Sequence, residues 1–356
     1  MSVILQAQAL GNPPWPTLDP FLFCAYHDDL YPRGKADLTP DASLAGRQMG
    51  SDFAGVDGWR MYHGETVPGF PSHPHRGFET VTIVRKGLID HSDSLGATAR
   101  FGVAPGTPPT TAGDVQWLTA GRGIVHAEMF PLLNSADRNP LELFQIWLNL
   151  PASHKMAAPY FTMFWADTIP RLQLTDRLGL QSEVALIAGA FGSQASDKTI
   201  PTPPPDSWAA QAQADVAIWT IRMPPHAVLS LPGAGPGSRR MLYFFKGQHV
   251  TVGAEGSEGQ KAAQHCALEL RAQNAVTLTN GPTESEFLLL QGRPIAEPVA
   301  QYGPFVMNTQ AEIHQAFADY RRTQFGGWPF AAPDPVHGHE PRRFARHADG
   351  RLETVA

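Results

Sequence analysis

His73-Pro74-His75-Arg76-Gly77-Phe78-Glu79-Thr80-Val81-Thr82-Ile83-Val84-Arg85-Lys86-Gly87 is the stretch that decides the fold. It opens on His-x-His, continues as a β-branched run and stops at a Lys-Gly turn signal, so it reads as a strand. Side chains alternate faces along a strand, which places the imidazoles of His73 and His75 on one side. About fifty residues on, Thr119-Ala120-Gly121-Arg122-Gly123-Ile124-Val125-His126-Ala127-Glu128 ends in His-x-Glu. Two such strands facing one another would converge three imidazoles and a carboxylate on one point. That donor set makes a metal site, and it suits a redox metal such as iron better than calcium or magnesium.

The surrounding chain is built from similar pieces. Val115–Thr119 alternates and stops at Gly121, and Leu143–Leu148 is a further strand closed by Pro151. With 33 Gly and 33 Pro in 356 residues, turns are frequent and helices few, which predicts an all-β sandwich or barrel. The second half repeats the first. Gly247 of Lys246-Gly247 stands 160 residues after Gly87, and Gly281 of Thr279-Asn280-Gly281 stands 160 after Gly121. Self-similarity of this kind implies two copies of one β unit. The repeat is degenerate where it matters for chemistry, because the same offset sets Gly233 and Gly235 opposite His73 and His75, and Glu286 and Leu288 opposite His126 and Glu128. The second copy is therefore expected to keep the fold and lack the metal. A proline-rich connection, Gln194 to Gln211, lies between the copies.

One helix is well signalled. Thr309-Gln310-Ala311-Glu312 is a capping box, and Ile313, Ala316, Phe317 and Tyr320 then form a single apolar stripe, ended by Gly326-Gly327. The expected organisation is a metal-binding barrel over residues 1–180, a metal-free barrel over 181–310, a helix over 309–325 packed on a barrel, and a polar surface tail over 331–356.

Composition removes several classes of function. Lys and Arg total 27 against 33 Asp and Glu, a net charge of −6, which argues against a nucleic-acid backbone as partner. Cys24 and Cys266 alone make no disulfide framework. The chain begins without a basic, apolar leader, and no apolar run approaches the roughly 20 residues that cross a bilayer. A cytoplasmic protein with no membrane partner is expected, and a monomer, since two barrels in one chain can satisfy each other.

At its two motifs the chain resembles the pirin family of the cupin superfamily. The resemblance rests on His73–Val81 and Gly113–Glu128 and extends through Tyr26-His27-Asp28-Asp29, Leu150–Met156 and Gly303-Pro304-Phe305-Val306-Met307. It implies a bicupin: two antiparallel β-sandwich or jelly-roll barrels in tandem with a short C-terminal helix. It also implies one iron per chain in the first barrel, held by His73, His75, His126 and Glu128, with copper, manganese or nickel as alternatives. Some members of the family are assigned flavonol (quercetin) 2,3-dioxygenase activity, with dioxygen as co-substrate and loss of carbon monoxide. Others are metal-dependent regulators that bind a protein partner. Under the first reading Glu128 is also the group that accepts the substrate's hydroxyl proton.

Glu79 competes with Glu128 for the fourth ligand position. It stands where the general cupin pattern His-x-His-x3-Glu places a ligand, and strand parity alone leaves both carboxylates in play. The family pattern favours Glu128 and leaves Glu79 to orient a ligand histidine through its free ring nitrogen. His91-Ser92-Asp93 imitates an oxygenase triad but reads as a polar turn, with His91 beside the site. Arg76 and Arg122 read as an exposed rim pair and His27-Asp28-Asp29 as a turn. Phe78, Trp117, Phe144 and Trp147 read as core, with alternation allowing some to line the cavity mouth.

Overall fold

The computed structural model describes residues 2–104, 106–107, 112–194, 196–254 and 256–355. The chain forms two compact units, neither contiguous in sequence. One comprises the chain up to Ala25 with Ile146–Pro151 and Ala166–Ala296, and the other comprises Tyr26–Gln145, Ala152–Trp165 and the chain from Glu297 on. The expected division near residue 180 is therefore not where the chain changes unit. Strands Phe21–Tyr31 and Asn139–Asn149 each run 11 residues, and the chain passes from one unit to the other partway along each of them.

The unit that holds the second barrel is all antiparallel. Ile4–Ala9, Cys266–Leu270, Arg239–Lys246, Ser285–Gly292, Ala217–Met223, Gln181–Ala188 and Arg171–Thr175 lie side by side in that order, and Val228–Leu231, Val276–Asn280, His249–Gly253 and Gln260–Ala263 make a second sheet. Trp219, Leu242, Phe244, Leu268, Phe287 and Leu289 fill its core. Each such fully buried side chain is worth roughly 1.5–3 kcal/mol. The degenerate ligand positions behave as their residue types require. Glu286 faces Lys246 at 3.9 Å, and Leu288 is buried.

The other unit is organised by one strand of 16 residues, Phe78–Asp93. Its first half pairs with Val115–Thr119, and its second half pairs with Thr98–Val103 and Ile124–Met129. Gly69–His75 pairs along the far edge of Ile124–Met129, so the strand of the second motif lies between two others. The helix spans Gln310–Thr323, with Thr309 and Glu312 closing the capping box, a feature worth about 1 kcal/mol. Ile313 and Ala316 of its stripe pack with Val125, Phe305, Met307 and Phe325.

The polar C-terminal segment is more than a surface tail. Arg343–Arg346 adds a strand to the edge of Thr98–Val103, and Leu352–Val355 pairs with it in turn. An open edge of unpaired amides is satisfied by any backbone whatever its side chains, which is why a polar composition still forms strands here. No helix among the described residues is long and apolar enough to cross a membrane.

Candidate metal centre

The antiparallel register sets His73 directly opposite His126. On the other edge of the same strand Asp93 stands opposite His126 and His91 opposite Glu128. Cross-strand neighbours share a face and lie about 5 Å apart, so register alone gathers these side chains. The ring centroids of His73 and His126 are 4.5 Å apart, those of His73 and His75 4.7 Å, and those of His75 and His126 5.0 Å. One nitrogen from each ring lies within 4.8 Å of the other two. Among the described residues this is the one cluster of three or more potential metal ligands.

The turn that follows His75 is held from several sides. Gly77 adopts φ 85°, and a Cβ there would lie 1.9 Å from the Val306 carbonyl oxygen, so only glycine fits. Its N–H donates to the Gly121 carbonyl at 2.8 Å, while the buried Lys155 ammonium donates to the Gly77 and Val306 carbonyls at 2.8 and 3.2 Å. Burial pulls Lys155 down to about 8, opposed by the charges of Glu297 and Glu312. The exposed rim position expected of Arg76 is not observed, and its side chain is buried. Its guanidinium donates to the Arg122 carbonyl at 2.6 Å and to Asp319 of the helix at 2.9 Å. Arg122 itself is exposed.

The electrostatics favour ligation over charge. Burial holds His73 down at about 4 and keeps His75 and His126 well below the usual histidine range. All three rings are thus neutral near pH 7, the form that offers a lone pair. His73 Nδ1 donates to the Pro71 carbonyl at 2.8 Å, which leaves its Nε2 as the donor atom toward the cluster. Neither ring nitrogen of the fully buried His126 has a hydrogen-bond partner among the described residues. An orphaned buried polar group costs about 1–3 kcal/mol, and a metal ion would satisfy it. The donor set therefore fits a transition metal.

Glu128 lies two residues after His126 on the same face, with its carboxylate outside the tight histidine cluster. Oε1 is 3.0 Å from the Thr82 hydroxyl, and Oε2 accepts from the Gln145 amide at 2.9 Å. Burial pushes the Glu128 carboxyl up, against the lowering effects of His91, Thr82 and Gln145. Glu79 accepts from the Thr119 hydroxyl at 2.7 Å. Strand parity does not carry across the Arg76-Gly77 turn, so sharing an odd number with His73 and His75 does not place it on their face.

His91 and Asp93 do not form a turn. They end the long strand, both fully buried, with His91 Nε2 3.3 Å from Asp93 and the His91 ring 5.6 Å from that of His126. Thr82 and His91 both face Glu128 although nine positions separate them. The odd spacing is reconciled by Gly87, which at φ 76° interrupts the alternation between them. His27-Asp28-Asp29 likewise sits in a strand rather than a turn, with Tyr62 donating to Asp29 at 2.6 Å and 2.7 Å from His27 Nδ1. Of the four aromatic candidates Phe78 reaches the site, its ring 5.0 Å from that of His75. Trp117 packs on Phe164 and Trp147 on Phe23, and Phe144 is buried.

Sequence reasoning missed Thr82, Gln145 and Lys155. For Lys155 a signal existed, since the segment 150–156 and the segment 303–307 both belong to the resemblance and meet here on Gly77.

Residues 6–148 match the Pirin family and residues 218–326 the Pirin C-terminal cupin domain. A Pseudomonas aeruginosa protein provisionally named quercetin 2,3-dioxygenase is 38% identical over 264 residues, covering 72% of this chain and 79% of that protein. Human Pirin is 35% identical over 268 residues, covering 74% and 80%. The crystal structure of a quercetin 2,3-dioxygenase from Acinetobacter baumannii superposes with a TM-score of 0.66 at 26% identity, covering 92% of this chain and 99% of that one. The chain belongs to the pirin family and carries its two cupin domains.

Proposed function

We propose that this protein is an iron-dependent dioxygenase that opens the heterocycle of flavonols such as quercetin with release of carbon monoxide. The observation that carries the reading is the convergence of three uncharged imidazoles, those of His73, His75 and His126, with the Glu128 carboxylate two residues beyond His126 on its strand. His73, His75 and His126 would hold the metal, with Glu128 as the fourth ligand. Bound iron supplies a Lewis acid and a redox centre to the site.

The remaining tasks fall to the protein. Glu128, drawn toward its protonated form by burial, is suited to take the proton of an enolic hydroxyl. Thr82 and Gln145 fix the orientation of that carboxylate through their hydrogen bonds. Phe78 offers an apolar surface beside His75, and the burial of these groups strengthens every charge interaction among them.

The test is aerobic turnover of quercetin by anaerobically iron-loaded protein, with carbon monoxide measured against a metal-stripped control. Metal-dependent carbon monoxide is the expected result. Iron retained at one per chain with no carbon monoxide released would overturn the dioxygenase reading and leave a metal-dependent regulator with a protein partner.

A further inference from the structure

The strand carrying His126 and Glu128 does not end at the metal cluster. It ends at Met129, and the segment that follows, Phe130-Pro131-Leu132-Leu133, lines a cavity of about 320 Å³. Arg85-Lys86-Gly87-Leu88, the middle of the long strand that also bears Thr82 and His91, lines it too. None of His73, His75, His126 or Glu128 lines this cavity. It is a separate place in the same unit, joined to the neighbourhood of the metal cluster by the long strand Phe78–Asp93.

Its lining combines two kinds of side chain. Tyr31, Leu88, Phe130, Leu132 and Leu141 are buried and supply an apolar body. Arg85, Lys86 and Arg138 supply three cations. The carboxylate beneath them is Glu142, which pairs with Arg85 and, at 2.7 Å, with Lys86 and also accepts from the Tyr26 hydroxyl at 2.9 Å. Cationic side chains outnumber acidic ones among the residues that line the cavity. The Arg138 side chain, exposed at the rim, makes no ion pair among the described residues. Arg85 itself is buried to within 3% of full enclosure, so its charge acts in a medium where a neighbouring anion is felt strongly.

We propose that this cavity is a second ligand site, for a small amphipathic anion: an apolar or aromatic body carrying a carboxylate, sulfonate or phosphate. The body would pack on Tyr31, Leu132 and Leu141, and the anionic group would meet Arg138 and the Arg85–Lys86 pair. Cavities of a few hundred Å³ with an apolar lining and few polar groups are the ordinary form of small-molecule sites. The assignment does not depend on the dioxygenase reading, because no metal-site residue takes part.

The experiment is a fluorescence titration of the metal-loaded full-length protein with anilinonaphthalene sulfonate, an aryl sulfonate of suitable size. Its uncharged counterpart, phenylnaphthylamine, is run beside it. Two variants are compared with the native chain: Leu141→Trp, which fills the apolar part, and Arg138→Glu, an exposed change that reverses the rim charge and leaves the fold intact. The expected result is saturable binding of the sulfonate at one per chain, weakened about tenfold or more in both variants, with metal content unchanged. The uncharged probe is expected to lose affinity in Leu141→Trp and not in Arg138→Glu. Sulfonate affinity that is unchanged in either variant overturns the assignment.

Discussion

Thr82 and Glu128 share a single hydrogen with a third residue. The Thr82 hydroxyl oxygen is 3.0 Å from Glu128 Oε1 and 2.6 Å from Gln145 Oε1, while the Gln145 amide donates to Glu128 Oε2 at 2.9 Å. A hydroxyl has one proton to give. With Glu128 neutral the three groups close a ring in which each donates once. With Glu128 charged, one oxygen pair loses its proton, and a cation at the histidine cluster is the natural compensation.

Thr82→Val removes the hydroxyl and keeps the shape. Partners that orient a ligand typically matter roughly 10–100-fold in metal affinity, and a loss in that range is expected for this variant by competition with a chelator. Wild-type affinity in Thr82→Val would show that Glu128 is held without it.

His126→Ala is expected to lose bound metal entirely, because it removes one of three rings whose centroids all lie within 5.0 Å of one another. Metal per chain by elemental analysis is the readout. Since His126 is a buried group with no partner among the described residues, the metal-free variant should be no less thermally stable than metal-free native protein. A stable one-to-one metal complex in His126→Ala would remove the cluster from consideration.

Gly77→Ala tests the turn after the first motif. The left-handed φ and the approach to the Val306 carbonyl together predict a loss of roughly 2–4 kcal/mol in unfolding free energy, seen as a lower urea midpoint for this unit. Metal affinity should fall with it, because His75 is two residues away. A Gly77→Ala protein with native midpoint and native metal content would contradict the packing described.

Asp319 gives a pH dependence with a definite sign. Its hydrogen bonds with Arg76, Arg322 and Gln315 hold the carboxyl down at about 2, below the ordinary value of 3.8. A carboxylate depressed on folding stabilises the native state above its unfolded value and loses that contribution as pH falls through the folded one. Asp319→Asn should therefore be less stable than native protein at pH 6, by about 1 kcal/mol or less for a partly exposed pair. The difference should close between about pH 4 and pH 2. A gap of constant size down to pH 2 would mean that Asp319 acts by shape and not by charge.

Much of this arrangement was legible in advance, and the reasons can be located. The β-branched run after Gly77 and the alternation of Val115–Thr119 specify strands by local chemistry, and the 160-residue repeat specifies two of them as one unit copied. His-x-His and His-x-Glu point to the histidine cluster that the fold brings together, because few other uses exist for such a pattern. What escaped reading depends on pairing between distant parts of the chain. Arg76 looks exposed until Asp319, 243 residues away, is brought beside it. His91 looks like a turn residue until Gly87 interrupts the alternation and turns it toward Glu128. The polar segment near Arg343 looks unstructured because nothing in it announces that Thr98–Val103 presents an open edge. Two of the unit boundaries were hidden for a related reason, since they fall inside the strands Phe21–Tyr31 and Asn139–Asn149, whose local signals are uninterrupted.

The discontinuity of the metal-bearing unit also sets an order of events during synthesis. All four candidate ligands leave the ribosome by residue 128, whereas Lys155, Val306 and Asp319, which hold the turn beside them, emerge later. The edge strand Arg343–Arg346 follows after those. A nascent chain thus presents its histidines before it owns the scaffold that fixes them. The turn that follows His75 is fixed only once the helix bearing Asp319 has been made.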